Sequence, residues 1–379
     1  MKYGHLDRYR VTLEVRTPLF IGNGEKLRQY EYIVYQNHWL IPSMPLLVEK
    51  LASKNLLGDF ERYLSDPKKL MSQKLGTWLN AHGIPVTPTA DWVLYAMDSV
   101  VSQGNDLACF IKLPDGRPYI PGSSIKGVLR SVYIADKMNA AQAARILSDA
   151  DKQPKEKKSG QEENIPRTLN YENTKSNNAK QNDAINDVLK GLQVSDSTPF
   201  GRNSLMVCQV TDAMNDSKGA VKVNDMPLFR ECLKPGEKAT FWLTIDRNIL
   251  PDLTIDELKR MLTDTVKVGN EYSRMFSLSN LNIKKTSVKA GNVLLTIGAG
   301  TGFQSKSLIL RAAKLTGVNG TPVAHRVLRA QFPNRHNGKG FYKPPCGDNS
   351  PAPYCRKFAL LNGEYHPFGR CELTFEADN

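Results

Sequence analysis

The sequence predicts an α+β fold built on antiparallel sheets, and three observations point there. Alternating apolar and polar stretches recur along all 379 residues. They outnumber the helical stretches that could serve as crossovers. Several come as neighbouring pairs across a short turn, as hairpins do. At 40% hydrophobic and 23% charged residues, the composition is that of a globular chain. One hydrophobic core seldom exceeds about 250–300 residues, so the length predicts two cores or one core with large insertions.

Tyr9, Val11, Leu13 and Val15 alternate with polar residues, the mark of a half-buried strand. Gly22-Asn23-Gly24 reads as a loop, and two short strands, 31–35 and 39–41, flank Asn37. Ser43 is placed to cap a helix with Pro45 in its first turn, where a missing N–H matters little. Residues 46–82 read as mostly helical, broken at Asp66-Pro67. Strand patterns return at 92–97 and 107–112, and Pro114-Asp115-Gly116 is a turn. Ile125, Val128, Leu129, Val132 and Tyr133 then recur at helical spacing after Ser124. Residues 151–187 are polar with few large apolar side chains, which predicts a mobile insertion. Strands follow at 204–211 and 239–246, and Thr254 with Glu257 has the spacing of a capping box. Val293, Leu295 and Ile297 form a strand running into glycines, and Cys371, Leu373 and Phe375 close the chain as a strand.

Charge narrows the function classes. There are 51 Lys and Arg against 38 Asp and Glu, a net charge of +13. Residues 281–379 hold 14 of the cations and 5 of the acids. Such asymmetry fits a polyanion partner, and also a basic surface kept for solubility. No uncharged apolar run reaches the ~18 residues of a membrane span. Met1–Arg8 carries charge without the apolar stretch of a secretory signal. Six scattered cysteines suit a reducing interior better than a disulfide framework, so a cytoplasmic chain is expected.

Three segments are candidates for chemistry. In Ile120-Pro121-Gly122-Ser123-Ser124-Ile125-Lys126-Gly127 a strand gives way to a helix. Helix N-termini attract phosphate, and Lys126 and Arg130 sit one turn apart. The same features also describe an ordinary cap with a solvated basic face. The second segment is Gly298-Ala299-Gly300-Thr301-Gly302, followed by Lys306-Ser307. Its glycines would let a ligand backbone approach closely, or form a plain turn. It fails the triphosphate loop, which needs glycine before the lysine where Ser305 stands, and the dinucleotide fingerprint. The third interleaves cations and rings over 325–358, with Arg326, Arg329, Phe332, Arg335, Phe341, Tyr342, Tyr354 and Arg356. That mix suits single-stranded nucleic acid or a long solvated loop. Cys346 with Cys355, and His325 with His336, lack zinc-ligand spacing, and no Gly-x-Ser-x-Gly elbow occurs. Neither a metal, a cofactor nor a catalytic residue is expected.

Together with the late glycine loop, Thr17-Pro18-Leu19-Phe20-Ile21-Gly22-Asn23-Gly24 and Ile120–Gly127 resemble the RAMP superfamily, the RNA-binding subunits of CRISPR effector complexes. Gly191-Leu192-Gln193-Val194-Ser195-Asp196-Ser197 and Cys232-Leu233-Lys234-Pro235-Gly236-Glu237 are similar to one subunit type, the fifth, of type III-A effectors. The resemblance spans roughly residues 9–375. It implies an RRM-like (ferredoxin-like) sheet core with helical and loop insertions, in one module or two. The implied division is an N-terminal module over 1–150 with a helical insertion at 43–90, the polar insertion 151–187, and a C-terminal module over 188–379.

The implied role is non-catalytic. Such a subunit holds the 3′ portion of the guide RNA (crRNA), caps the filament of repeated backbone subunits and supports 3′ maturation of the guide. Its implied partners are the guide, the other effector subunits, a host trimming nuclease and, indirectly, target RNA; no membrane is among them. Carried over, the motifs offer Gly122, Ser123, Ser124, Lys126, Arg130, Gly298, Gly300, Gly302, Lys306 and Ser307 for RNA, with Arg326 and Arg329 from the basic region. The alternatives are a metal-independent guide-processing endonuclease using His325 or His336, and a nucleotide-dependent phosphotransferase on the glycine loop.

Overall fold

In a computed structural model the chain is α+β, with two sheets. The structure describes residues 4–99, 101, 106–152, 183–331, 344, 347 and 350–378.

The first sheet is antiparallel throughout. It comprises β1 (Leu6–Val15), β7 (Leu192–Val194), β10 (Lys238–Asp246), β11 (Val293–Thr296) and β14 (Arg370–Ala377), in the order β11-β14-β1-β10-β7. β1 is central, with Val11 opposite Phe241 on one side and Phe375 on the other. The chain leaves β1 and returns to β7 through α5 (Gly122–Lys137), with β10 between the two strands. It leaves β10 through α7 (Ile255–Arg274) and reaches β14, with β1 between those two. The alternating residues of β1 face inward as expected: Val11, Leu13 and Val15 are buried with Phe241, Leu243 and Leu373. Ile125, Leu129 and Val132 of α5 and Leu258, Met261 and Leu262 of α7 join the same core. Thr254 Oγ1 accepts from Glu257 N at 3.2 Å, half of the anticipated capping box.

The second sheet is mixed. Its path is β2 (Gly22–Leu27), β6 (Leu107–Phe110), β9 (Val221–Leu233), β8 (Leu205–Asn215), β5 (Val93–Ser99), β4 (His38–Pro42) and β3 (Ile33–Tyr35). β12 (Cys355–Leu361) also pairs with β8 and carries β13 (Glu364–Pro367). The β5–β8 and β6–β9 pairs are parallel, so the all-antiparallel expectation holds for one sheet only. Gly22–Leu27 is a strand with an irregularity rather than a loop.

The 13-residue β9 shows no plain alternation because Asn224, Asp225 and Pro227 interrupt its apolar pattern. Its register with β8 shifts there, between Gln209–Phe229 and Thr211–Asp225. A bulge is where a strand tolerates proline.

Each sheet takes strands from both sides of residues 151–187, so a boundary near residue 150 does not separate the sheets. α1 (Met44–Ser53), α2 (Leu57–Ser65), α3 (Pro67–Ser72) and α4 (Leu75–Ala81) form a satellite with its own core. Phe60, Tyr63 and Trp78 stack within it, at ring separations of 5.2–6.1 Å. Asp66 Oδ1 caps α3 by accepting from Lys68 N and Lys69 N, while Ser43 makes no side-chain cap bond.

α6 (Ala140–Lys152) and α8 (Leu308–Thr316) pack beside α5, and α9 (Thr321–Gln331) packs on α6 and α8. Of the expected mobile insertion, 153–182 lies outside the described residues, but 183–187 belongs to the fold. Asn186 is buried and Asp187 caps the following 3-10 turn. No described helix is long and apolar enough to cross a membrane.

Candidate nucleic-acid interface

The two strand-to-helix corners singled out in the sequence meet at one groove. Its walls are Ile21 and Gly22 at the start of β2, Ser123, Ser124, Gly127, Val128 and Ser131 from α5, Ile297 to Ala299, and Ser305, Lys306 and Arg311. Val132 and Thr265 of α7 complete it, and its volume is about 410 Å³. Two cations and five hydroxyl side chains line it, and no described lining residue is acidic. Among the described residues the Ser123 and Ser124 hydroxyls have no hydrogen-bond partner within the protein.

The α5 corner is built by segments distant in sequence. Gly122 N donates to Asp196 Oδ1 at 2.7 Å. Ile120 N donates to Ser197 Oγ at 2.9 Å, and Ser197 N to Ile120 O at 3.0 Å. A side chain at Gly122 would run into the Val194 carbonyl, 2.4 Å from the position of its Cβ. The Val194-Ser195-Asp196-Ser197 stretch is therefore the clamp of the Gly122 corner, which explains why both motifs occur in one chain. It also corrects the expectation of a helix end free for phosphate, because a carboxylate already holds the first N–H. Asp196→Ala should destabilise the fold by about 0.5–2 kcal/mol, the usual loss of an N-cap acceptor. Urea unfolding measures this, and an unchanged midpoint would show that the clamp holds without it.

Lys126 and Arg130 turn away from the groove. Arg130 Nη1 donates to Asp187 Oδ2 at 2.6 Å, and neither residue lines the groove. Lys126 is half-buried, and this desolvation lowers its pKa against the opposing pull of Asp187. The basic positions of α5 offered for RNA are thus drawn to Asp187, Arg130 by an ion pair and Lys126 by its field.

The glycine loop is shaped by contacts within the protein. Gly298, Gly300 and Gly302 all have φ near +90°, a region that side chains rarely enter. A Cβ at Gly298 would sit 2.4 Å from Phe20 O, one at Gly300 2.7 Å from Arg230 Nη1, and one at Gly302 2.5 Å from the Gln304 amide. Their smallness thus fits the loop to the early segment, where Ala299 N donates to Phe20 O at 2.9 Å. Of the three only Gly298 lines the groove. Lys306 Nζ donates to Gly298 O at 2.7 Å, and its surroundings desolvate the ammonium and lower its pKa. Ser307 is buried and caps α8 through Leu310 N.

Arg326 and Arg329 lie exposed, one turn apart on α9, and do not line the groove. His325 is 0% exposed, with Nε2 2.8 Å from Ser350 O. His336, Arg335, Phe332, Phe341 and Tyr342 lie outside the described residues. Among the described residues no three His, Cys, Asp or Glu side chains gather as metal ligands.

Sequence reasoning missed Arg311, whose burial lowers its pKa and whose Nη2 reaches Thr265 O at 3.5 Å. A lone charge inside Leu308-Ile309-Leu310-Arg311-Ala312-Ala313 was the available signal. Thr265 offered none, since α7 brings it there through tertiary packing.

Two sheets and a groove between two glycine corners, with no acid among its described lining residues, are the geometry on which the family rests. The chain belongs to the RAMP superfamily, whose family model matches residues 12–304. Among curated proteins it is similar to the CRISPR system Cms protein Csm5 of Mycobacterium tuberculosis (strain CDC 1551 / Oshkosh), 26% identical over 400 residues and 98% of each chain. It is 27% identical over 320 residues to the Csm5 of Streptococcus thermophilus, covering 80% of this chain and 81% of that one. Its fold matches a chain of the cryo-EM structure of a Csm-crRNA-target RNA ternary complex in a type III-A CRISPR-Cas system. The TM-score is 0.63 at 18% identity, over 97% of this chain and 100% of the other. The crystal structure of T. onnurineus Csm5 matches with a TM-score of 0.58 at 17% identity, over 95% and 99%.

Proposed function

We propose that this chain is a non-catalytic RNA-binding subunit of a type III-A CRISPR effector complex. It holds the 3′ portion of the guide RNA, caps the filament of backbone subunits and supports 3′ maturation of the guide in antiviral defence. Its partners on this reading are the guide, the other effector subunits, a host trimming nuclease and, indirectly, target RNA, in the cytoplasm. The observation that carries the proposal is the groove, with Lys306, Arg311 and five hydroxyls on its walls and no described acid. Such walls suit phosphate and ribose, which every RNA sequence presents alike. Guides differ in sequence, so a subunit of this kind must bind them without base readout.

The first sheet supports an RRM-like reading. β14-β1-β10-β7, with α5 and α7 as the crossovers, follows the order of a ferredoxin-like sheet, and β11 extends its edge.

Salt titration of binding to unstructured single-stranded RNA tests the role. Neutralising about five phosphates gives a log–log slope near −3.5 at ~0.7 per phosphate, with little dependence on sequence. A flat response would contradict it. The endonuclease alternative is disfavoured by His325, whose buried ring faces a carbonyl rather than the groove.

A further inference from the structure

A second cavity adjoins the groove across Thr265 and Ser305, which line both. It lies between α7, the glycine loop and the strands β12 and β14. Arg356 and Arg370 line it together with Asn270, Thr301, Gln304 and Phe368, and no described lining residue is acidic.

The two arginines are built in but poorly matched. Among the described residues the Arg370 guanidinium makes only long contacts, to Thr286 Oγ1 at 3.4 Å and Asn270 Oδ1 at 3.3 Å. Arg356 lies over the rings of Phe358 and Phe276, 4.9 and 5.9 Å from their centroids. Among the described residues neither forms an ion pair. Burial lowers the pKa of both, that of Arg356 to about 10 with Arg370 adding repulsion. Two half-buried cations side by side call for an anion.

Gln304 supplies an independent observation. It is 7% exposed, lines the cavity, and its Oε1 has no hydrogen-bond partner. A buried acceptor of this kind needs a donor, and a phosphate has none to give, whereas a ribose 2′-OH does. The cavity measures about 40 Å³. At ~10–15 Å³ per water-sized group it takes about three such groups, enough for the two free oxygens of a phosphodiester and one hydroxyl, and too few for a sugar ring or a base.

We infer that this cavity takes the free phosphate oxygens and a neighbouring 2′-OH of one backbone unit of the strand lying in the groove, the phosphate on Arg356 and Arg370 and the 2′-OH donating to Gln304 Oε1, with the sugar ring outside it. The inference rests on the RNA-binding reading above and adds to it a site that distinguishes RNA from DNA.

The test compares the full chain with its R356Q, R370Q, Q304L and K306Q variants, all checked for an unchanged unfolding midpoint, on single-stranded RNA and DNA of one sequence. R356Q and R370Q should each weaken RNA binding about ten-fold, as loss of a charge-assisted bond does, and flatten the salt slope by about 0.7. Q304L should narrow the RNA-over-DNA preference at least about five-fold while leaving DNA affinity unchanged. As a fold-independent readout, single 2′-deoxy substitutions scanned along the RNA should weaken wild-type binding at one position and have no effect there in Q304L. RNA affinity and slope unchanged in both arginine variants, with K306Q still impaired, would overturn the inference and leave the groove intact. Salt-insensitive wild-type binding would instead bring down the RNA-binding reading itself. Inorganic phosphate that stabilises the wild type but not R370Q, with equal RNA affinity in both, would assign the cavity to a free anion and also overturn the inference.

Discussion

Replacing Glu231 with alanine is expected to lower the unfolding free energy by about 3–5 kcal/mol, the effect of orphaning one member of a buried ion pair. Glu231 is 0% exposed on β9. Its Oε1 accepts from Tyr95 Oη at 2.6 Å, and its Oε2 from Phe110 N at 2.8 Å and from Lys112 Nζ. One carboxylate thereby ties β5, β6 and the chain just after β6 to β9. The β6–β9 pairing spans only Leu107–Phe229 and Ala108–Arg230, so the carboxylate holds where the ladder is short. Without it, the Tyr95 hydroxyl loses its partner in the interior and the Lys112 ammonium keeps only a long bond to Phe110 O at 3.5 Å. Replacing Lys112 and Glu231 together by apolar residues of similar size should be far milder, because a paired burial is costly to begin with. Urea denaturation of both variants measures the difference. A loss below ~1 kcal/mol for Glu231→Ala would show that the junction relaxes around the gap. The consequence reaches function, since β6 positions β2, whose Gly22 forms one wall of the groove.

The second large effect concerns binding. Lys306→Gln combined with Arg311→Gln should weaken single-stranded RNA binding by roughly a hundred-fold or more, at ~1.5–3 kcal/mol for each charge-assisted bond. The salt slope should fall by about 1.4, for two phosphates at ~0.7 each. Stability should change little, because neither side chain has a carboxylate partner among the described residues. The wild type should also show a pH signature. Although the Lys306 side chain is exposed, desolvation by the surrounding groove walls lowers its pKa, so its charge is complete only at pH values below that lowered pKa. RNA affinity should therefore decline on the alkaline side sooner than an ordinary lysine would cause, and Lys306→Gln should remove that part of the decline. Fluorescence anisotropy across pH and salt reads both effects. Equal affinities for wild type and double variant would remove the groove cations from the account.

The strands with plain alternation, β1, β10 and β14, were legible because one face of each packs on the core while the other does not. α5 and α7 were legible by the same logic at helical spacing. β9 was hidden because its breakers sit at a bulge, which only pairing with β8 reveals. The corners at 122–124 and 298–306 were visible as glycine between strand and helix, and the structure brings both to one groove. Their inner logic was not visible. Sequence alone could not show that Asp196 already holds the Gly122 N–H, that Asp187 holds Arg130, or that the loop glycines make room for Phe20, Arg230 and Gln304. All of these but the Gln304 contact, which lies two positions from Gly302, join segments 57 to 278 positions apart. Arg311, Arg356 and Arg370 were counted in the basic last quarter, but only folding sets them around one pair of cavities.

The claim that RNA lies between the two glycine corners is tested most directly by photocross-linking single-stranded RNA to the full chain and mapping the attached peptides by mass spectrometry. The account expects attachment within 123–131 and 297–311, reduced by Lys306→Gln with Arg311→Gln. Attachment confined to other surfaces, with both of those peptides recovered unmodified, would contradict it.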